Sequence, residues 1–253
     1  MKIFTKESLI EDLKRIRTLG WIESRRHGNA GGVGNTLEDL LGITENNLPI
    51  PNAAEWELKC QRAGSASLCT LCHMEPSPRA IKFVPKMLLL KYGWSHKLAG
   101  GTYGLTEMSF RQTISGLSAS DRGFKVVVDR KQQKVMISFN AKIVDARHAS
   151  WLEAVTKRIG LLELDPQHYW GFDDLRNKVG TKLLNCFYVK AERKNVGGKE
   201  FFKYSNILMM RGFNFEGLLQ GIEKGFVFVD FDARTGHNHG TKFRLVQDLL
   251  PTL

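Results

Sequence analysis

The chain reads as an α/β or α+β domain, and three features predict it. Apolar residues recur at helical spacing in some stretches and alternate with polar ones in others. Two pairs of strand-like segments are separated by short turn-forming tetrapeptides, the mark of hairpins. The hydrophobic share is 42% with 10% aromatic residues, far from a disordered composition. At 253 residues the chain suits one substantial domain, or two lobes sharing a core.

The first element is a helix over 6–19. Leu9, Ile10, Leu13, Ile16 and Leu19 share a face, and Gly20 closes it. Residues 24–34 (SRRHGNAGGVG) form a basic, glycine-rich loop, and NTLEDLLG at 35–42 a short helix with Leu37, Leu40 and Leu41 on one face. Pro49 and Pro51 break the chain before a strand over 54–60; a second strand covers 68–73. Pro85 suits the first turn of a helix that reaches Tyr92. Phe83, Leu88, Leu89 and Leu90 are assigned to the core. Residues 98–120, rich in Gly and Ser, read as loop.

FKVVVD (124–129) and KVMISFN (134–140) are strands joined through RKQQ. FDDLRNKV (172–179) is helical. KLLNCFYVKAE (182–192) and KEFFKYSNIL (199–208) flank residues 195–198 as a second hairpin. NFEGLLQGIEKG (214–225) is an amphipathic helix, followed by strands FVFVDFD (226–232) and KFRLV (242–246). There is no internal repeat and no low-complexity linker.

Lys plus Arg number 37 against 26 Asp plus Glu, a formal charge of +11. That excess points to a polyanionic partner, with nucleic acid foremost. No apolar run approaches the ~18 residues of a membrane span. The N-terminus interleaves charge with apolar residues and lacks the apolar core of a signal peptide, so a cytoplasmic location is expected. Four cysteines do not make a disulfide framework.

Three local patterns mislead. Cys69–Thr70–Leu71–Cys72–His73 spells the haem-attachment pattern CxxCH, but on a strand adjacent Cys and His point to opposite faces. Cys60 and Cys186 supply no second pair for zinc. Gly31 to Thr36 resembles the end of a phosphate-binding loop, yet Asn35 stands where the phosphate-contacting Lys belongs. Neither haem nor a nucleotide is therefore expected. The tripeptide His237–Asn238–His239 is no HNH nuclease motif, which is spread over a longer unit.

The informative segment is PNAAEWELKC, residues 51–60. On a strand, Glu55, Glu57 and Lys59 share one face, and Trp56 and Leu58 the other. An acid two residues before a Lys, after a Pro-marked turn, is the second half of the PD-(D/E)xK nuclease pattern. Carboxylates can hold Mg²⁺ against a scissile phosphate. A Lys beside the acid can orient a water or offset developing negative charge. E-x-E-x-K is also an ordinary solvated strand face.

The order of elements around it is more specific. A helical Glu38, a Pro-marked turn and the ELK strand resemble the MutH-like branch of the PD-(D/E)xK nucleases. Over residues 20–246 the chain resembles the MvaI/BcnI family of type II restriction endonucleases. The segments that carry this are GW near 20, the loop before LEDLLG, EWELK, LCTLCH, YWGFDDL, KYSN, GIEKG and HNHGTKFR. The resemblance implies a restriction-endonuclease-like mixed sheet flanked by helices. Catalytic and recognition lobes would form a DNA cleft, the first mainly 1–125 and the second mainly 126–253.

It further implies Glu57 and Lys59 as catalytic acid and Lys, and Glu38 as the helical acid. The family's first metal-binding Asp falls on Asn52, a neutral amide that keeps one oxygen but loses a charge. An engineered substitution, a naturally decayed enzyme or compensation by Glu55 would each account for it; the first fits best with an otherwise intact constellation. The cofactor implied is Mg²⁺, with Mn²⁺ or Ca²⁺ able to substitute for binding.

The resemblance places His73, Asp230, His237, His239 and Arg244 at base edges, where Arg suits guanine and Asp can accept from cytosine. Backbone contacts are expected from Arg25, Arg26, Arg62, Lys82, Lys86 and Arg111. The implied target is CC-N-GG, with His73 favouring CCSGG and HNHGTKFR favouring CCWGG. The implied enzyme is a monomer that nicks one strand of double-stranded DNA at a time, in a bacterial host with a cognate DNA methyltransferase. A MutH-like repair nickase and a non-catalytic DNA-binding protein are the alternatives.

Overall fold

The computed structural model describes residues 4–24, 31–43, 53, 55–160, 164, 167–246 and 249–252. In chain order the regular elements begin with α1 (Lys6–Thr18), β1 (Ile22–Glu23), α2 (Gly32–Leu41), β2 (Glu57–Arg62) and β3 (Cys69–His73). A π-wound segment, Val84–Leu88, runs into α3 (Leu89–Tyr92), and β4 (Trp94–Ser95), β5 (Met108–Ile114), β6 (Phe124–Asp129) and β7 (Lys134–Phe139) follow. Then come α4 (Ala149–Ile159), β8 (Tyr169–Gly171), α5 (Phe172–Leu183), β9 (Asn185–Val196) and β10 (Lys199–Arg211). The chain closes with α6 (Phe215–Glu223), β11 (Val227–Arg234), β12 (His237–Asn238) and β13 (Lys242–Leu245). This is a mixed α/β fold, and no described helix is long and apolar enough to cross a membrane.

Two compact units emerge, each from two chain segments. Unit 1 comprises Met1–Cys69 and Lys178–Phe213, and unit 2 comprises Thr70–Asn177 and Asn214–Leu253. The compact units are therefore not halves divided near residue 125. The reason is strand pairing: β9 and β10, late in the sequence, complete the sheet begun by β1 and β2.

Unit 1 is a four-stranded sheet in the order β1-β10-β9-β2. Only β2 and β9 run parallel, with Glu57 opposite Cys186 and Lys59 opposite Tyr188. The long β9–β10 hairpin turns at Gly197 and Gly198, both at positive φ, as a two-residue turn requires. Helix α1 starts on a reciprocal cap: the Thr5 side chain accepts from Ser8 N at 3.2 Å, and Ser8 Oγ accepts from Thr5 N at 2.9 Å. Its Leu9, Leu13 and Ile16 pack with Leu37, Trp56, Leu58, Phe187, Phe202 and Tyr204 in one core. Helix α2 begins at Gly32, three residues before the sequence reading. Its first turn is tied down by Tyr204, whose hydroxyl donates to Val33 O at 2.8 Å.

Unit 2 holds a six-stranded sheet, β3-β13-β11-β5-β4 with β12 on β11, and a three-stranded sheet, β6-β7-β8. Strand β5 corrects the loop reading of 98–120. The Gly and Ser around it hid a period-2 segment whose Phe110 and Ile114 are fully buried. Leu90 also departs from expectation: it is 63% exposed, while Phe83, Leu88 and Leu89 are core. A run of three leucines on a helix cannot turn every side chain inward.

His168 sits fully buried in unit 2, with ring centroids 4.6 Å from Phe83 and 6.4 Å from Phe231. Neither ring nitrogen has a hydrogen-bond partner among the described residues. Burial lowers its pKa to about 3. Below its unfolded pKa of about 6.5 the unfolded chain takes up a proton that the folded chain refuses. This group therefore costs nothing above that pH and destabilises the fold as pH falls toward about 3. Urea unfolding at neutral pH and at about pH 5 should show the parent losing about 2 kcal/mol more than His168→Phe. Equal losses would remove His168 from the acid response.

Candidate active site

The sequence reading of 54–60 as a strand is corrected at its start. Ala53 and Trp56 close a tight turn, each N–H donating to the other's carbonyl at 2.9 and 2.8 Å, and the strand begins only at Glu57. Glu55 lies in that turn, exposed, accepting from its neighbour Trp56 Nε1 at 3.2 Å. It does not share the strand face of Glu57 and Lys59. Trp56, fully buried against Phe187 at 4.8 Å, fixes where the strand starts.

From Glu57 onward the pleat does what the spacing requires. Leu58 turns into the core, and Glu57, Lys59 and Gln61 share the other face. Glu57 is 3% exposed, yet it is charge-paired on both oxygens: Lys59 Nζ lies 2.8 Å from Oε1 and Lys182 Nζ 3.0 Å from Oε2. Gln61 continues the row, accepting from the Tyr188 hydroxyl at 2.7 Å and donating to Ser67 O at 2.7 Å. Burial works against the Lys59 ammonium, but the opposing interactions, the Glu57 carboxylate foremost, together outweigh it and hold Lys59 above its ordinary pKa. Lys59 thus stands beside Glu57 as a protonated ammonium.

Lys182 was missed because residues 182–192 read as one strand. The structure instead continues α5 through Leu183, so Lys182 falls in its last helical turn and the strand starts at Asn185. A cation near a helix C-terminus also sits favourably in the helix dipole. The sequence carried no signal of its contact with Glu57, which spans 125 positions.

Glu38 projects from α2, close enough to β2 that its charge helps burial push the Cys60 thiol up. Asn52, Arg25 and Arg26 lie outside the described residues. Among the described residues no three His, Cys, Asp or Glu side chains gather as a metal cage. A Mg²⁺ site here would rest on a thinner set, with Glu57 its described carboxylate. That remains compatible with an ion that keeps several waters and uses one or two carboxylates.

The residues assigned to base reading all belong to unit 2. On β11 and its neighbours one face is apolar (Phe110, Ile114, Val229, Phe231, Phe243) and the other polar (Arg111, Thr113, Asp230, Asp232, Lys242, Arg244). Asp230 is 9% exposed; it accepts from Thr113 Oγ1 at 2.8 Å and lies 3.3 Å from Arg244 Nη1. Thr113 and Lys242 lie on this face without having been singled out in the sequence: β5 had read as loop, and the pairing of Lys242 with Asp230 leaves no local pattern. His237 and His239 are exposed with rings 4.2 Å apart. Glu75 holds their loop, accepting from Thr241 N at 2.8 Å and Asn238 Nδ2 at 3.3 Å. His73 is exposed beside Gly240.

Of the backbone candidates, Lys82 and Lys86 are exposed in unit 2. Arg111 is exposed 3.7 Å from Asp232, and Arg62 lies 4.0 Å from Glu200 in unit 1. Cys69 and Cys72 are buried while His73 faces out, opposite its neighbour Cys72 as the alternation of a strand requires.

The sequence model of the MvaI/BcnI restriction endonuclease family matches residues 10–253. Among solved structures, restriction endonuclease MvaI in complex with its cognate DNA substrate is similar at a TM-score of 0.77 and 28% identity, over 98% of this chain and 96% of that one. MvaI in the absence of DNA matches at a TM-score of 0.51 and 24% identity, over 99% and 96%. No curated protein sequence matches significantly.

Glu57 is the hub of the ion-pair cluster, so its loss should cost more than loss of either partner. Glu57→Gln leaves two ammonium groups facing each other without a counter-charge and should destabilise by about 2 kcal/mol. Lys59→Met leaves Glu57 paired to Lys182 and should cost less than half of that. Urea midpoints of the two variants decide; a larger loss for Lys59→Met would mean that Glu57 is not the hub.

Proposed function

The chain belongs to the MvaI/BcnI restriction endonuclease family, and on that premise we propose that it is a site-specific nuclease of double-stranded DNA with its catalytic centre at Glu57 and Lys59. The observation that carries this reading is the buried carboxylate with Lys59 at 2.8 Å, on a strand that starts at a tight turn. Buried acids held beside a charged partner cluster at functional sites. The DNA partner is supported by the net charge of +11 and by the relative solved with its cognate DNA.

In this reading Glu57 and position 52 would hold Mg²⁺ at the scissile phosphate. Bound there, the ion would polarise the phosphate and lower the pKa of a water. The chain's own residues do the rest. Glu57 presents its carboxylate from a fixed strand position. Lys59 sets a positive charge where the attacked phosphate accumulates negative charge. Glu38 would support the metal site from α2. Asn52 supplies an amide oxygen in place of a carboxylate, so the chain as written cleaves weakly or not at all.

Unit 1 would then be the catalytic lobe and unit 2 the recognition lobe. Arg244, steered by Asp230, would read guanine, with His73, His237 and His239 beside it. The target class is CC-N-GG with CCSGG ahead of CCWGG, cut by a monomer one strand at a time. Asn52 also favours a second reading, a sequence-specific DNA binder without catalysis.

The decisive comparison is Asn52→Asp beside the chain as written, on supercoiled plasmid with Mg²⁺, with product ends sequenced. We expect cleavage by the Asp form at one CCNGG-type site and at least ~10²-fold less by the parent. Equal, robust cleavage by both would remove position 52 from the metal site. No cleavage by either, with tight sequence-specific binding, would favour the non-catalytic reading.

A further inference from the structure

The ion pair between Glu57 and Lys182 has a consequence beyond holding the fold. Each oxygen of Glu57 faces a different ammonium: Oε1 faces Lys59 at 2.8 Å, and Oε2 faces Lys182 at 3.0 Å. The two lysines are not equivalent. Lys59 is two residues along the same strand, so the pleat keeps it on the Glu57 face whatever else binds. Lys182 reaches in from the end of a helix on a long flexible stem, with its side chain 16% exposed. Its anchorage lies on α5, outside β2, so its withdrawal would not require β2 to move.

As a triad, Glu57, Lys59 and Lys182 carry a net charge of +1. That charge complements a phosphodiester without help from any ion. A divalent cation arriving at Glu57 would have to share Oε2 with an ammonium already at hydrogen-bond distance, and the two like charges repel. Ion and Lys182 therefore compete for the same oxygen.

We propose that Lys182 is a positioning residue that acts as the internal counter-cation of Glu57: it lets the site accept DNA in the absence of a divalent ion and is displaced from Oε2 when the ion binds. This rests on the nuclease reading above. While Lys182 holds Glu57 the site keeps its positive charge, so DNA binding should be nearly indifferent to divalent ions.

Two measurements test it on the full chain. The first is fluorescence anisotropy with a labelled duplex carrying one CCSGG site, in EDTA and in millimolar Ca²⁺. The parent and Lys182→Arg should bind about equally in both buffers. Lys182→Met should bind about tenfold more weakly in EDTA and recover in Ca²⁺, the size expected for one unscreened charge near a phosphate. A variant that binds the same in both buffers as the parent overturns the proposal while leaving the nuclease reading intact.

The second measurement needs no DNA. Mn²⁺ titration followed by electron paramagnetic resonance should show Lys182→Met holding the ion about tenfold more tightly than the parent, with Lys182→Arg unchanged. Equal or weaker Mn²⁺ binding by Lys182→Met overturns the competition. A parent that binds no duplex in either buffer overturns the nuclease reading and the DNA half of this proposal, and the Mn²⁺ titration still decides the other half. Thermal unfolding of each variant identifies any that fail to fold, and Lys182→Gln then takes the place of Lys182→Met.

Discussion

The parallel pairing of β2 with β9 is the constraint on which unit 1 depends. It joins residues 57–62 to 186–191, so the strand that bears Glu57 and Lys59 is held by one from far along the chain. Parallel neighbours need a crossover. Here the crossover is long enough to contain a whole segment of the second unit, residues 70–177. That is why each unit is built from two pieces of chain. The same pairing delivers Lys182, because α5 leads directly into β9 and its last turn ends beside Glu57.

The ion-pair cluster illustrates how charge can be buried at tolerable cost. A lone carboxylate 3% exposed would be strongly penalised. Two ammonium groups at hydrogen-bond distance answer that penalty, and the Gln61–Tyr188 hydrogen bond carries the polar row onward without orphaned atoms. The polar face of the six-stranded sheet follows the same rule. Asp230 is matched by Thr113 and Arg244, Asp232 by Arg111, and Glu75 anchors the loop that carries His239. His168 breaks the rule and remains neutral among aromatic rings, which is the form burial favours.

Short motifs proved poor guides when taken without context. CxxCH splits its buried thiols from an exposed His because a strand alternates its faces. The ExK tripeptide, equally short, sits differently: its Glu is buried and doubly paired, where a solvated face would leave it exposed.

By itself the sequence determined the elements whose signal is local. The α1 periodicity, the Gly197–Gly198 hairpin, the strands around 124–140 and the amphipathic α6 follow from side-chain spacing and backbone preference within a few residues. It determined that Glu57 and Lys59 share a face, since a strand's alternation needs no partner. It also made the family legible from 20 to 246, in segments that match in order. Only the tertiary structure decided the rest. Strand β5 exists because β11 pairs with it, and Glu55 leaves the site because Trp56 anchors a turn in the core. Lys182 reaches Glu57, 125 positions away in sequence, because a parallel ladder brings β9 beside β2. Such contacts are fixed by long-range pairing and burial, which no window of neighbouring residues encodes.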